Sequence, residues 1–285
     1  MRPRQILAPL LLSGLGALAA ASPAAAQPTG AFMTLDRADH ESRAGLFFGL
    51  LHIEDTDLDE GAARIELNGQ YVAPSGFGGY FSAPIHQLYI DDGDDETALG
   101  GIEVGGLMAR EVALGQELAL HVGVVLPTAQ GDDFEEVIAN VAGVQSRLTD
   151  LVQAIPETST LRLGGSFLGS VPGLVYRFDG GMDVPLLTTD DDGDVAHDPI
   201  LRLNGAVGLG MGPGTLSFEL INLFATGNED ASFSDSTLTN AGVSLGVALA
   251  GVRLQGGLFL SVDSVFEDDT GEGLITFALA GAKSW

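Results

Sequence analysis

From residue 45 onward, apolar or small residues alternate with polar ones over long runs, and the pattern recurs about a dozen times. In Ala63–Tyr71 the set Ala63, Ile65, Leu67, Gly69 and Tyr71 alternates with Arg64, Glu66, Asn68 and Gln70. A strand sends successive side chains to opposite faces, so each such run has one fatty face and one mixed face, and a period of two does not suit a helix. Leu118, Leu120, Val122, Val124 and Leu126 oppose Glu117, His121 and Gly123 in the same way. So do Leu174, Tyr176, Phe178, Met182 and Val184 against Arg177, Asp179 and Asp183. Twelve strands are expected, over 46–54, 63–71, 78–90, 98–109, 117–126, 159–169, 174–184, 201–211, 216–220, 241–249, 252–262 and 275–279.

The links between these runs alternate in length. Ala73–Gly76, Arg110–Gln116, Ser170–Pro172, Gly212–Gly214 and Ala250–Gly251 are short and mostly built of turn formers. Glu54–Glu60, Asp91–Glu96, Ala129–Thr158, Leu187–Asp198, Gly227–Ser236 and Phe266–Glu272 are long and carry most of the acid. Short turns on one side and long loops on the other, with an even strand count, are the rhythm of an outer-membrane barrel with both termini in the periplasm. No segment after the first 26 residues is apolar for long enough to cross a membrane as a helix, so a membrane role would fall to strands.

Those first 26 residues carry Arg2 and Arg4, an apolar run from Ile6 to Ala20, and small residues ending at Ala26, the layout of a cleaved secretory signal. Residues 27–44 form an N-terminal segment that reads either as a plug of the lumen or as a loose periplasmic tail, and the barrel domain spans 45–285. One stretch breaks the period of two. Phe134, Val137, Ile138, Val141, Val144, Leu148, Leu151, Val152 and Ile155 recur at helical spacing and predict an amphipathic helix over 132–155, inside the third long loop. Asp132 and Glu135 suit a capping box, and Pro156 ends the run. Such a helix is either a lid or constriction at the barrel mouth or an ordinary packed loop element.

Composition excludes several classes. The absence of cysteine removes disulfides, thiolate metal sites and cysteine nucleophiles. Twelve basic residues stand against 39 acidic ones, and a net charge of −27 argues against nucleic-acid binding. The aspartate runs do not match an EF-hand loop, since Gly193 is misplaced and no closing glutamate follows, so no metal and no cofactor is expected. Their solvated carboxylates could still bridge divalent ions to lipopolysaccharide. His40, His52, His86, His121 and His197 are scattered without a nucleophile elbow or a His-Glu-x-x-His helix, so no enzyme is expected.

Signal, alternating strands, loop rhythm and the terminal Trp285, with Leu279, Phe277 and Ile275 on its parity, make residues 45–285 resemble bacterial outer-membrane β-barrel transport proteins of the porin-like and hydrocarbon-uptake kind. Leu120–Ala129 also resembles strands in outer-membrane transport proteins of aromatic-degradation pathways. Gly281 and Lys283 depart from the aromatic-ended final strand of that class, which the barrel-assembly machinery reads. The resemblance implies an all-β transmembrane antiparallel barrel in the outer membrane of a Gram-negative cell. Its surroundings would be outer-membrane lipid and lipopolysaccharide, and its cargo a small-molecule solute.

With the fatty parity facing lipid, the lumen receives Arg64, Glu66, Glu103, His121, Arg162, Arg177, Asp179, Asp183, Arg202, Glu219, Arg253 and Asp263. Their nearly balanced signs suggest ion pairs, either filling the barrel or lining a narrow path for solutes. A channel or transporter with an acidic mouth biased against anions is the leading expectation. The alternatives are a non-conducting structural or surface-interaction barrel, and a soluble secreted β-protein whose fatty parity turns inward.

Overall fold

A computed structural model describes residues 32–36, 38–52, 61–89, 95–131, 133–188, 198–211, 214–226, 237–262 and 274–285. The strands in chain order are β1 (Arg43–His52), β2 (Gly61–Val72), β3 (Phe77–Tyr89), β4 (Glu96–Leu99), β5 (Glu103–Ala113), β6 (Gln116–Val125) and β7 (Thr158–Val171). There follow β8 (Leu174–Thr188), β9 (Ile200–Met211), β10 (Gly214–Ala225), β11 (Thr237–Leu249), β12 (Val252–Ser261) and β13 (Ile275–Ser284). Neighbours along the chain pair antiparallel, and β1 pairs with β13 from Arg43↔Ser284 to His52↔Ile275, so the sheet closes on itself. Closure removes the free edges that an open sheet would leave.

The thirteen segments make twelve staves, because β4 and β5 are two halves of one. β3 pairs with β5 through Phe77–Ser82 and with β4 through Ile85–Leu88. The break falls at Gly100–Ile102, opposite Pro84, whose missing N–H cannot join the ladder. Thr128 mends it with one hydroxyl, accepting from the Ile102 amide at 2.8 Å and donating to the Gly100 carbonyl at 3.0 Å.

The alternation decides which way each strand faces. Leu46, Leu67, Tyr71, Phe178 and Leu254 are 50–60 % exposed on the outside, whereas Arg64, Glu66, Arg162 and Arg202 on the other parity are at most 2 % exposed. A soluble β-protein would bury the first set, so that alternative is not the arrangement observed. Two-residue hairpins sit at the short-link end. Leu249 and Val252 are joined by Ala250 at φ 50° and Gly251 at φ 75°, the positive angles that a primed turn demands.

The third long loop folds into the barrel. The expected helix is present over 134–154, as α1 (Phe134–Val144) continued by a 3₁₀ segment (Gln145–Ala154). The N-cap is Asp133 and makes no side-chain capping bond, which corrects the expected capping box; Asp132 itself lies outside the described residues. Inside the 3₁₀ segment the run is kinked at Arg147, whose backbone at φ −152° and ψ 72° leaves helical space. Ala139 of α1 packs with Leu51, Ala62, Leu88 and Ala98 on one wall, and Leu148 and Val152 pack with Val125, Ile200, Ile221 and Leu223 on another. Close approach needs glycine. A Cβ at Gly143 would stand 2.6 Å from His86 Cδ2, and one at Gly49 would stand 2.1 Å from Ser146 Oγ.

The segment ahead of β1 also lies inside the ring of strands. Leu35 packs with Val175, Met33 with Phe47 and Phe259, and Ala38 with Leu107 and Ala119.

Candidate functional site: the charged lumen

The inner face of the barrel presents ionisable side chains from most of its wall, and the two inserted segments add their own. Beneath the apolar packing of the 3₁₀ segment, Asp150 accepts from Arg147 Nε at 2.7 Å, from Arg64 Nη2 at 2.9 Å and from Arg162 Nη1 at 3.1 Å. Arg64 Nη2 also bonds Glu66 at 2.5 Å, and Arg162 Nη1 bonds Glu103 at 2.7 Å. Gln153 donates to Glu103 at 3.1 Å, and Tyr80 donates to the other oxygen of Glu103 at 2.8 Å. A loop that enters from one end of the barrel is thereby tied to β2, β3, β5 and β7. Buried charges without such partners would cost several kcal/mol each.

The N-terminal segment completes the lower half. Asp36 receives Arg202 Nη1 on both oxygens, at 2.6 and 2.8 Å, with Arg162 Nη2 at 3.6 Å and His121 Nε2 at 3.7 Å. Burial alone would raise the Asp36 carboxyl, but Arg202, His121 and Arg162 outweigh it and hold it well below the usual carboxylate range. Asp183 bridges Arg162 at 3.2 Å and Arg202 at 3.0 Å. Arg177 bonds Asp179 at 2.7 Å, Ser166 at 2.8 Å and the Ala38 carbonyl at 3.1 Å. Glu219 accepts the Met33 and Thr34 amides at 3.0 and 2.8 Å and the Thr34 hydroxyl at 2.7 Å.

Where the chain enters β1, ion pairs gather again. Asp39 accepts Arg43 at 2.6 Å; burial would raise its carboxyl, but Arg43 lowers it on balance. Glu41 accepts Arg253 at 3.0 Å, and His40 Nδ1 bonds Glu117, which raises the His40 pKa to about 9.

Of the twelve residues that the sequence assigns to the lumen, eleven are described, and all eleven are at least nine-tenths buried or ion-paired inside the ring. Asp263 lies outside the described residues. Arg64, Glu66, Glu103, Arg162, Asp183, Arg202 and His121 are brought together around Asp36 and Asp150. Arg177, Asp179 and Glu219 meet the N-terminal segment through its main chain, and Arg253 pairs with Glu41. Sequence reasoning missed Asp36, Asp39, Arg43, Arg147, Asp150 and Gln153, none of which lies in an alternating run. It could have found His86, which shares the inward parity of Ser82 on β3 and bonds Asn140 of α1 at 2.6 Å.

Two cavities interrupt this packing, of about 30 and 60 Å³, and both are lined by Asp36, Arg43, Asn68 and Arg147. Spaces of that size hold a few water molecules.

No protein-family model matches the sequence, and no curated protein matches it either. Solved structures do. The COG4313 outer membrane channel from Pseudomonas putida F1 is similar at a TM-score of 0.61 and 14 % identity, over 88 % of this chain and all of that one. Weaker likenesses are the KdgM porin in complex with disordered oligogalacturonate (TM-score 0.48, 8 % identity, 85 % of this chain and 99 % of that one) and the outer membrane phospholipase A from Escherichia coli (0.45, 9 %, 85 % and 92 %). The chain therefore has the closed, twelve-stranded antiparallel fold of outer-membrane β-barrel channels.

Proposed function

We propose that this protein is an exported outer-membrane channel for small solutes, held closed at rest by its own N-terminal segment and third loop. The observation that carries the reading is how the barrel is filled. Beside their apolar packing, both inserted segments are tied to the wall by ion pairs and hydrogen bonds, and polar ties of this kind can be exchanged for water or solute when a segment moves. An apolar plug would have no such replacement. The likeness to an outer-membrane channel adds support at the level of fold.

In this reading the cleaved signal directs export, and the barrel-assembly machinery inserts the chain among outer-membrane lipid and lipopolysaccharide. The acidic long loops concentrate cations at the outer mouth and disfavour anions. The chain acts as a conduit and not as a catalyst. A second reading, a sealed structural barrel, is favoured by the small volume of the two cavities.

Planar-bilayer recording of the detergent-folded chain separates the two. The channel reading expects rare openings from the wild type and a larger open fraction from Arg147→Gln, which loosens both inserted segments at once. If neither protein conducts, although both show the heat-modifiable migration of a folded barrel, the sealed reading replaces it.

A further inference from the structure

The hydrogen bonds made to the N-terminal segment fall mostly on its main chain, while Met33 and Leu35 also pack their side chains against the wall. Glu219 accepts the Met33 and Thr34 amides at 3.0 and 2.8 Å, and Asp179 accepts the Asp36 amide at 2.9 Å. Arg147 donates to the Met33 carbonyl and, at 2.6 Å, to the Leu35 carbonyl, while the Thr149 hydroxyl donates to the Thr34 carbonyl at 2.6 Å. Three backbone N–H groups and three carbonyls from Met33 to Asp36 are engaged in this way. All four partners are at most 4 % exposed and are fixed on β8, β10 and the 3₁₀ segment. Only two side chains of the segment add hydrogen bonds: the Thr34 hydroxyl to Glu219, and the Asp36 carboxylate, gripped through both oxygens by Arg202.

We propose that the lumen is a binding site for short peptides, and that Phe32–Asp36 is its tethered occupant. Recognition of amides and carbonyls is indifferent to side-chain identity, which is what a site for mixed peptides requires. The grip on Asp36 supplies the other half, because Arg202, whose Nη1 reaches both Asp36 oxygens, would take the C-terminal carboxylate of a free peptide in charge-assisted hydrogen bonds of the same kind. Glu219 and Asp179 would then accept its ammonium and amide protons. A zwitterionic peptide carries no net charge, so the acidic exterior of a chain with net charge −27 does not repel it. The cavities of about 30 and 60 Å³, both bordered by Asp36 and the larger also by Phe32 and Met33, leave slack for side chains unlike those at these positions. This assignment of solute rests on the channel reading, but the binding site can be tested without it.

The test is calorimetric titration of the full-length, detergent-folded chain with two probes, a pentapeptide of the Phe32–Asp36 sequence and tetra-alanine, with raffinose as the non-peptide control. A tethered occupant lowers apparent affinity by the fraction of time it vacates the site. The Thr34→Val, Asp36→Ala variant, which loses both side-chain ties, is therefore expected to bind both peptides at least about tenfold more tightly than the wild type. Adding Glu219→Gln to that variant should weaken binding about tenfold, and raffinose should not bind. If the folded variant binds neither peptide, or binds its own sequence and not tetra-alanine, the segment is a plug and the proposal is overturned. Should the double variant fail to fold, Asp36→Asn alone carries the same test. Binding in a barrel that never conducts would remove the channel reading and keep the site; conduction without binding would do the reverse.

Discussion

Arg147 shows how one side chain can join two parts of the molecule that enter the barrel from opposite ends. Its guanidinium bonds Asp150 at 2.7 Å on its own segment and the Met33 and Leu35 carbonyls on the other. Arg147→Met should not orphan Asp150, which keeps Arg64 and Arg162. It leaves two buried carbonyls unpaired, so a loss of about 1–3 kcal/mol is expected, read from the denaturant midpoint of the folded barrel. His40 makes a pH-dependent contribution. Its bond to Glu117 raises its pKa from 6.5 to about 9, so the stability it adds is complete below about pH 6.5 and disappears as the pH rises through about 9. His40→Gln should therefore lower the thermal midpoint at pH 6 and leave it unchanged at pH 10; an equal effect at both would refute the pairing. At the other scale of cost, Ala250 holds φ 50° without the benefit of glycine. Ala250→Gly should stabilise the β11–β12 turn by about 0.5–1 kcal/mol, visible in the same denaturation assay.

At the level of elements, the strands were legible because burial on one face repeats every second residue, and each expected run overlaps an observed strand. The break between β4 and β5 was not, since Gly100 and Gly101 continue the small-residue character of the stave and only Pro84 across the ladder marks the interruption. Periodicity predicted an unbroken helix because Leu148 and Val152 keep helical spacing even where Arg147 has left helical geometry. The burial of the strand charges follows their parity, whereas Asp36 and Asp39 sit in a short aperiodic stretch whose partners, Arg202 and Arg43, could be known only from the fold. The docking of α1 offers its own check. Gly143→Val would place a branched side chain where even a Cβ meets the His86 ring at 2.6 Å, and the helix or the ring must move. A cost of about 1–3 kcal/mol is expected, with greater protease access to the third loop; unchanged proteolysis would mean that α1 does not depend on this contact.

The whole molecule concentrates its positive charge inward. Among the described residues, Arg64, Arg147, Arg162, Arg177 and Arg202 are each at most 2 % exposed and paired with carboxylates, while Arg110 and Lys283 lie at the short-link end. The buried arginines are matched by buried carboxylates, so the net charge of −27 is not offset from within, and in the sequence much of the acid falls in the long links between strands. In the channel reading proposed above, ion preference comes from an acidic mouth and not from the constriction, and the two origins respond differently to salt. Screening shortens the reach of exposed charge from about 30 Å at 0.01 M to about 3 Å at 1 M, but acts much less on buried pairs. Reversal potentials measured across a salt gradient should therefore show strong cation preference near 0.01 M that fades almost completely by 1 M. Arg202→Gln should alter conductance while leaving that salt dependence in place. A cation preference that persists at 1 M would instead assign selection to the buried girdle around Asp36 and Asp150, and make the inserted segments themselves the filter.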